Sequence, residues 1–160
     1  STPIKSSAAS DVYKRQIIES GADFDTVVSK AELYSNHTHV VFALSSFNNL
    51  VKNGRMSKIV GFVANKLGFW GIGIGSKQGT IEIKQKIRGS KKALDAIIDD
   101  MKERGYNCGK VVISHCRNAE FAESVKSAIQ SVWDKAEVKI VHARGLCSYY
   151  AEKGGLIIGF

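Results

Sequence analysis

The sequence predicts an α/β domain in which helices pack on a mixed β-sheet. Short branched-apolar runs alternate with helical periods from His39 to Phe160, in the order βαα-ββα-βα-βα-β. Phe69–Ile74 and Thr80–Ile87 flank a turn at Lys77-Gln78-Gly79, so they read as paired strands. Toward the end, helices separate successive strands, and that order needs crossover connections.

Each element has a local reason. Ile17–Leu33 reads as a helix: Asp23 can cap, and Phe24, Val27, Val28 and Ala31 repeat at helical spacing. His39–Leu44 is rich in branched and aromatic residues, as a buried strand is. Phe47–Lys52 reads as a short helix that stops at Asn53-Gly54. Ser57 can cap a helix over Lys58–Leu67, with Ile59, Phe62, Val63 and Leu67 on one face. In the strand Thr80–Ile87, Ile81, Ile83 and Ile87 alternate with Glu82, Lys84 and Lys86, while Gln85 breaks the apolar side. Ser90 is placed to cap a helix over Lys91–Arg104, with Leu94, Ile97, Ile98 and Met101 on its face and Gly105 at its end. The strand Val111–Ser114, the helix Ala119–Trp133, the strand Val138–Val141, the short helix Leu146–Lys153 and the strand Leu156–Phe160 complete the chain.

Composition sets the outer limits. The chain has 160 residues, 44% of them hydrophobic, which suits about one domain with a real core and excludes disorder throughout. No apolar run reaches the roughly 18–20 residues of a membrane span. The longest, Val40–Leu50 and Leu67–Ser76, are both interrupted by glycine or polar residues. Cys108, Cys116 and Cys147 are odd in number and form no CxxC pair, so a disulfide scaffold or zinc site is not expected and the cytoplasm is the expected location.

Residues 1–16 read differently from the rest. They show no apolar period, and Ser6–Gln16 back-translates codon by codon into a common transposase sequencing adapter. They are expected to be an adapter-derived, disordered segment. They carry Lys5, Lys14 and Arg15 against Asp11, so the formal charge of +8 falls to +6 without them.

Several groups invite chemistry. Gly71, Gly73 and Gly75 form GIGIG, but a dinucleotide loop needs G-x-G-x-x-G ahead of a helix, and here a strand follows. Small residues closely approached within a strand explain it better. Lys84, Lys86, Arg88, Lys91 and Lys92 make the densest positive patch, with Arg88-Gly89-Ser90 at a strand-to-helix junction suited to an anion, or else forming a solvated basic face. No aromatics interleave with them, so a base-stacking platform is missing. Arg55, in a loop before a helix, can present a bidentate fork to a carboxylate or phosphate, or simply lie exposed. His115 ends a strand beside Cys116, but strand neighbours point to opposite faces, which argues against a nucleophilic pair. His37, His39 and His142 lack metal-ligand spacing, and no paired carboxylates, GxSxG or HExxH motif is present. Tyr149-Tyr150 sits in a glycine-flanked tail, where a hydroxyl can donate to a ligand head group or to neighbouring backbone.

At these residues a family resemblance emerges. NLVKNGRMSK (Asn49–Lys58) resembles the L-x-x-L-K-x-G-G-R-I-S segment of the DegV family, with Asn53 for the first glycine and Met56 for the isoleucine. GTIEIKQKIRGSKKAL (Gly79–Leu94) resembles its G-x-I-x-x-x-x-K-V-R-G-R-K-K-A-L run. GLCSYYAEKGGLIIGF (Gly145–Phe160) resembles its closing G-x-x-x-x-x-H-x-G-P-G-x-L-x-x-x-F segment. The three matches keep the family's order.

The resemblance implies a fatty-acid-binding protein of two α/β domains with the acyl chain between them. It implies a carrier, not an enzyme, that presents a long-chain fatty acid to a separate fatty acid kinase for phospholipid synthesis, with no cofactor. The matched part is the second, C-terminal domain over residues 37–160, preceded at 17–36 by the terminal helix of the first domain. That first domain would supply Ser/Thr hydroxyls to the carboxylate. Arg55 matches the arginine of the carboxylate network. Tyr150 falls where many members have a carboxylate-holding histidine, and Lys153 replaces the family proline. Arg88 matches the arginine implicated in kinase docking, with Lys91 and Lys92 beside it. A fragment with one wall of the pocket missing is expected to bind weakly. The rival reading is a basic regulatory or nucleic-acid-binding module built on the patch around Arg88, and a third is a small enzyme using His115.

Overall fold

The structure is a computed structural model that describes residues 8–54, 68–75 and 81–160. The expected helix Lys58–Leu67 with its Ser57 cap, the turn at 77–79, and Arg55 lie outside the described residues. Contacts divide the chain into a unit built on the N-terminal helices and a unit built on the sheet.

The N-terminal unit corrects two expectations. The segment expected to be disordered is helical from Ala8, within α1 (Ala8–Glu19), where alanines favour helix and Arg15 pairs with Glu19 one turn on at 2.8 Å. The single helix expected over Ile17–Leu33 is two. Gly21, at φ +78°, ends α1, and Asp23 caps α2 (Phe24–Asn36) by accepting from Thr26 N at 3.0 Å. Stop and start signals outrank the apolar period here. Its apolar repeat is not buried: Phe24 is 79% exposed and α2 contains no buried residue.

The sheet unit holds β1 (Val40–Leu44), α3 (Asn48–Lys52), β2 (Phe69–Gly75), β3 (Ile81–Arg88), α4 (Ser90–Glu103), β4 (Lys110–His115), α5 (Ala119–Val132), β5 (Glu137–His142), α6 (Gly145–Ala151) and β6 (Leu156–Gly159). The strands order as β3-β2-β1-β6-β4-β5. Only β4 and β5 pair in parallel, through the α5 crossover; the other neighbours are antiparallel. The sheet is therefore mixed.

Two apolar clusters use its two faces. On one face Val41, Ala43, Ile72, Ile113, Leu156 and Ile158 pack with Ile97 and Met101 of α4 and Val125 and Ile129 of α5. Burying a side chain of this size contributes roughly 1.5–3 kcal/mol. On the other face Phe42 and Leu44 pack with Phe47, Leu50 of α3 and Ala151 of α6. Buried on both faces, β1 reads as the near-continuous apolar run it is.

A bulge explains why Gln85 broke the expected alternation. Ile72 pairs with Gln85 but Gly73 pairs with Ile83, so Lys84 is the extra residue. One inserted residue exchanges the faces. Ile81 and Ile83 pack on the second cluster, whereas Ile87 packs on the first.

Helix α4 differs at its start from the expected Ser90 cap. Gly89, at φ +92°, is the N-cap and Ser90 is already helical, with no side-chain cap bond. Its end is as expected: Gly105 N bonds Lys102 O at 2.9 Å and Tyr106 N bonds Met101 O at 3.0 Å, the paired bonds of a left-handed glycine stop.

Candidate functional site

Helices α3 and α6 lie together on the second cluster, joined by side chains far apart in sequence. Helix α3 begins at Phe47, which cannot cap, so its first-turn N–H groups need acceptors from elsewhere. Glu152 supplies one: its Oε1 accepts from Asn49 N at 2.8 Å, and its Oε2 accepts from Ser46 Oγ. Asn49 Nδ2 donates to Tyr149 O at 2.8 Å, and Asn53 Nδ2 donates to the Tyr149 hydroxyl at 3.1 Å. Glu152 holds a left-handed backbone, φ +53°, uncommon for a residue with a side chain. Sequence reasoning missed Glu152, Asn49 and Ser46. The uncappable Phe47 ahead of a helix was the available signal.

Tyr150 sits within this assembly, half-buried against the second cluster, its ring 5.2 Å from that of exposed Tyr149 and nearly perpendicular to it. Arg55, expected with Tyr150 in a carboxylate network, follows α3 by three residues in sequence and lies outside the described residues.

The basic patch is smaller than the sequence implied. Lys84 is drawn onto α4, where its ammonium meets Asp100 and Glu103, each at 2.8 Å. These bonds hold its pKa above the ordinary lysine value, Asp100 contributing most. Asp100, buried, also accepts from Arg104 at 2.7 Å. Arg88, Lys91 and Lys92 remain exposed at the β3–α4 junction. The Arg88 guanidinium stands 5.8 Å from the centre of the Phe69 ring, its cross-strand partner, which biases its direction.

At the other end of the sheet, His115 and His142 close the parallel pair β4·β5 with ring centres 4.4 Å apart. His115 is buried, and its Nδ1 accepts from Asn118 N at 3.2 Å. Burial, and secondarily His142, push its pKa below the ordinary imidazole value. Cys116 packs instead on the second cluster, its thiol directed to Ser148 O at 3.8 Å, so the two neighbours diverge as strand geometry requires. Among the described residues no three His, Cys, Asp or Glu are grouped to hold a metal. None of their helices is long and apolar enough to cross a membrane.

The family profile described as "Uncharacterised protein, DegV family" matches residues 12–160. The chain belongs to the DegV family. A DegV domain-containing protein of Streptococcus pyogenes serotype M1 is 41% identical over 145 residues, covering 91% of this chain and 52% of that protein. A DegV family protein from Eubacterium eligens, solved loaded with heptadecanoic acid, superposes with a TM-score of 0.88 at 36% identity, over 95% of this chain and 55% of that one. The Streptococcus pneumoniae Fatty Acid Kinase (Fak) B3 protein, solved loaded with linoleic acid, gives 0.87 at 36% identity, over 95% and 54%. The chain thus spans about half the length of the DegV relatives it matches. Family and fold agree with the resemblance read from the three motifs.

Proposed function

We propose that this chain contributes one half of a fatty-acid-binding site in a DegV carrier protein. The observation that carries this reading is its likeness, at 36% identity and TM-score 0.88, to a family member loaded with heptadecanoic acid. Arg55 and Tyr150 would hold the carboxylate, Tyr150 donating a neutral hydroxyl where many members have histidine. The acyl chain would lie against apolar surface shared with a second domain, each buried methylene contributing about 0.8 kcal/mol. Arg88, Lys91 and Lys92 would dock a separate fatty acid kinase; the pneumococcal relative carries the name Fatty Acid Kinase (Fak) B3. The carrier would present the fatty acid for phospholipid synthesis and perform no phosphoryl transfer itself. An expected cytoplasmic location belongs to the same reading.

Native mass spectrometry of a chain extended to the length of its relatives tests it. A co-purified long-chain fatty acid is expected, and Tyr150→Phe should weaken its retention about tenfold or more, the effect of losing a hydrogen bond to a charged group. A full-length protein that neither co-purifies with nor takes up fatty acid refutes the reading. The 160 residues alone should bind weakly, and sub-micromolar affinity by calorimetry would refute that part.

A further inference from the structure

We infer that the cleft at the C-terminal ends of β4 and β5 binds an oxyanion, a phosphoryl or carboxylate group of a small molecule. The cleft is open to solvent and has a volume of about 600 Å³. Its lining gathers His115, Arg117, His142, Ser148 and Lys153, and no carboxylate is among the lining residues described. Glu152, next in sequence to Lys153, has both carboxylate oxygens engaged on Ser46 and Asn49. Tyr150 is not in this lining, but Tyr149 of the same helix is, so the site borders the proposed carboxylate network without using its residues, and its test does not depend on that reading.

His115 is the observation that points to a ligand. The ring is 3% exposed. Asn118 N–H donates to Nδ1, so in the neutral ring the proton sits on Nε2. No described residue accepts from Nε2. No buried side-chain nitrogen or oxygen among the described residues lacks a partner, so Nε2 keeps some solvent contact, and His115 is one of the residues that line the cleft. An accessible ring donor on a lining residue, with Arg117 from the connection after β4 and Lys153 from the turn after α6 adding charge, suits an acceptor-only anion. The position fits the general placement of ligands at the carboxyl ends of parallel strands.

The test follows the ring signals of His115 and His142 by NMR in the 160-residue chain. Inorganic phosphate, acetate and chloride are titrated at matched ionic strength. Saturable shifts with phosphate or acetate support the site, and the tighter of the two assigns it to phosphoryl or carboxylate ligands. The double variant Arg117→Asn/Lys153→Gln should weaken saturation about tenfold or more, the loss expected for charged hydrogen bonds. Asparagine suits residue 117 because that residue holds φ +52°. Should the double variant misfold, Lys153→Gln alone is read in its place, with weaker saturation again expected. Equal shifts with chloride, no saturation with either oxyanion, or unchanged affinity in the folded variant would overturn the inference.

Discussion

Alanine at each glycine of GIGIG should give three different results. All three lie in β2, and none carries a positive φ. Strand backbone of this kind accepts alanine, which there gains roughly 0.5–1 kcal/mol over glycine. At Gly75 a Cβ meets no atom of the described residues within 4 Å, so Gly75→Ala should be neutral or slightly stabilising. At Gly71 it would run into the Phe47 ring, with Cε2 at 2.7 Å; Phe47 is 1% exposed and has no open space to swing into. Overpacking of this kind costs about 1–3 kcal/mol. At Gly73 the Cβ would meet both the Phe42 ring and the Glu82 carbonyl, the latter at 2.5 Å. Backbone cannot rotate away, so Gly73→Ala should cost about 3 kcal/mol or more. Equilibrium urea unfolding, followed by fluorescence of Trp70 and Trp133, measures the series. At about 1–3 kcal/mol per molar urea, the Gly73 variant should lose at least about 1 M in midpoint. Equal midpoints for all three variants, or a Gly75→Ala loss matching Gly73→Ala, would falsify the packing account of the motif.

Further outcomes follow from the polar contacts. Asp100→Asn leaves Lys84 and Arg104 facing a neutral group and should destabilise by about 2–3 kcal/mol, below a fully buried pair because both cations retain some water contact. Lys84, with its folded pKa raised, adds stability that is fully present below about pH 10.5 and lost as pH rises through the folded value; alkaline melts of wild type should fall off more steeply than those of Asp100→Asn. His115, with its folded pKa lowered, adds stability present above about pH 6.5 and lost as pH falls through the folded value. Stability curves between these conditions should flatten in His115→Gln, and an unchanged acid slope would contradict the burial of this ring as its cause. Glu152→Ala removes two accepted hydrogen bonds while keeping a side chain at positive φ, and should cost more than Glu152→Gly, which relieves the backbone; unfolding midpoints in the opposite order would sink that reasoning.

Local patterns were legible in the sheet unit and less so in the N-terminal unit. The helix α5 and the Gly105 stop read correctly because each is set by neighbours within a turn. The apolar face of α2 was periodic but is not buried, since periodicity reports amphipathicity and not what covers it. The bulge left one trace, Gln85, yet only pairing with β2 reveals that Ile87 turns to the opposite face from Ile83. Lys84 reads as part of an anion-binding patch until the bulge and α4 bring Asp100 to it. Tyr150 and Arg88 were singled out by residue chemistry and motif resemblance. Glu152 was not, because its partners lie more than a hundred residues away in sequence.

That distance gives Glu152 its place in the site. Tyr150 is carried by α6, and Arg55 follows α3 in sequence. Neither helix is long enough to hold itself: α3 has five residues and α6 seven, well below the roughly 12–15 at which isolated helices become even marginal. Their geometry must come from tertiary contacts. Leu50 and Ala151 bury one side of the pair against Phe42 and Leu44, which fixes its height above the sheet. Apolar burial is non-directional and leaves the helices free to slide along that surface. The directional constraints are the bonds of Glu152 to Asn49 and Ser46 and those of Asn49 and Asn53 to Tyr149. A left-handed backbone at Glu152 is tolerable where such bonds over-determine it. The strain therefore sits at the joint between the two segments whose relative position a shared carboxylate network would require.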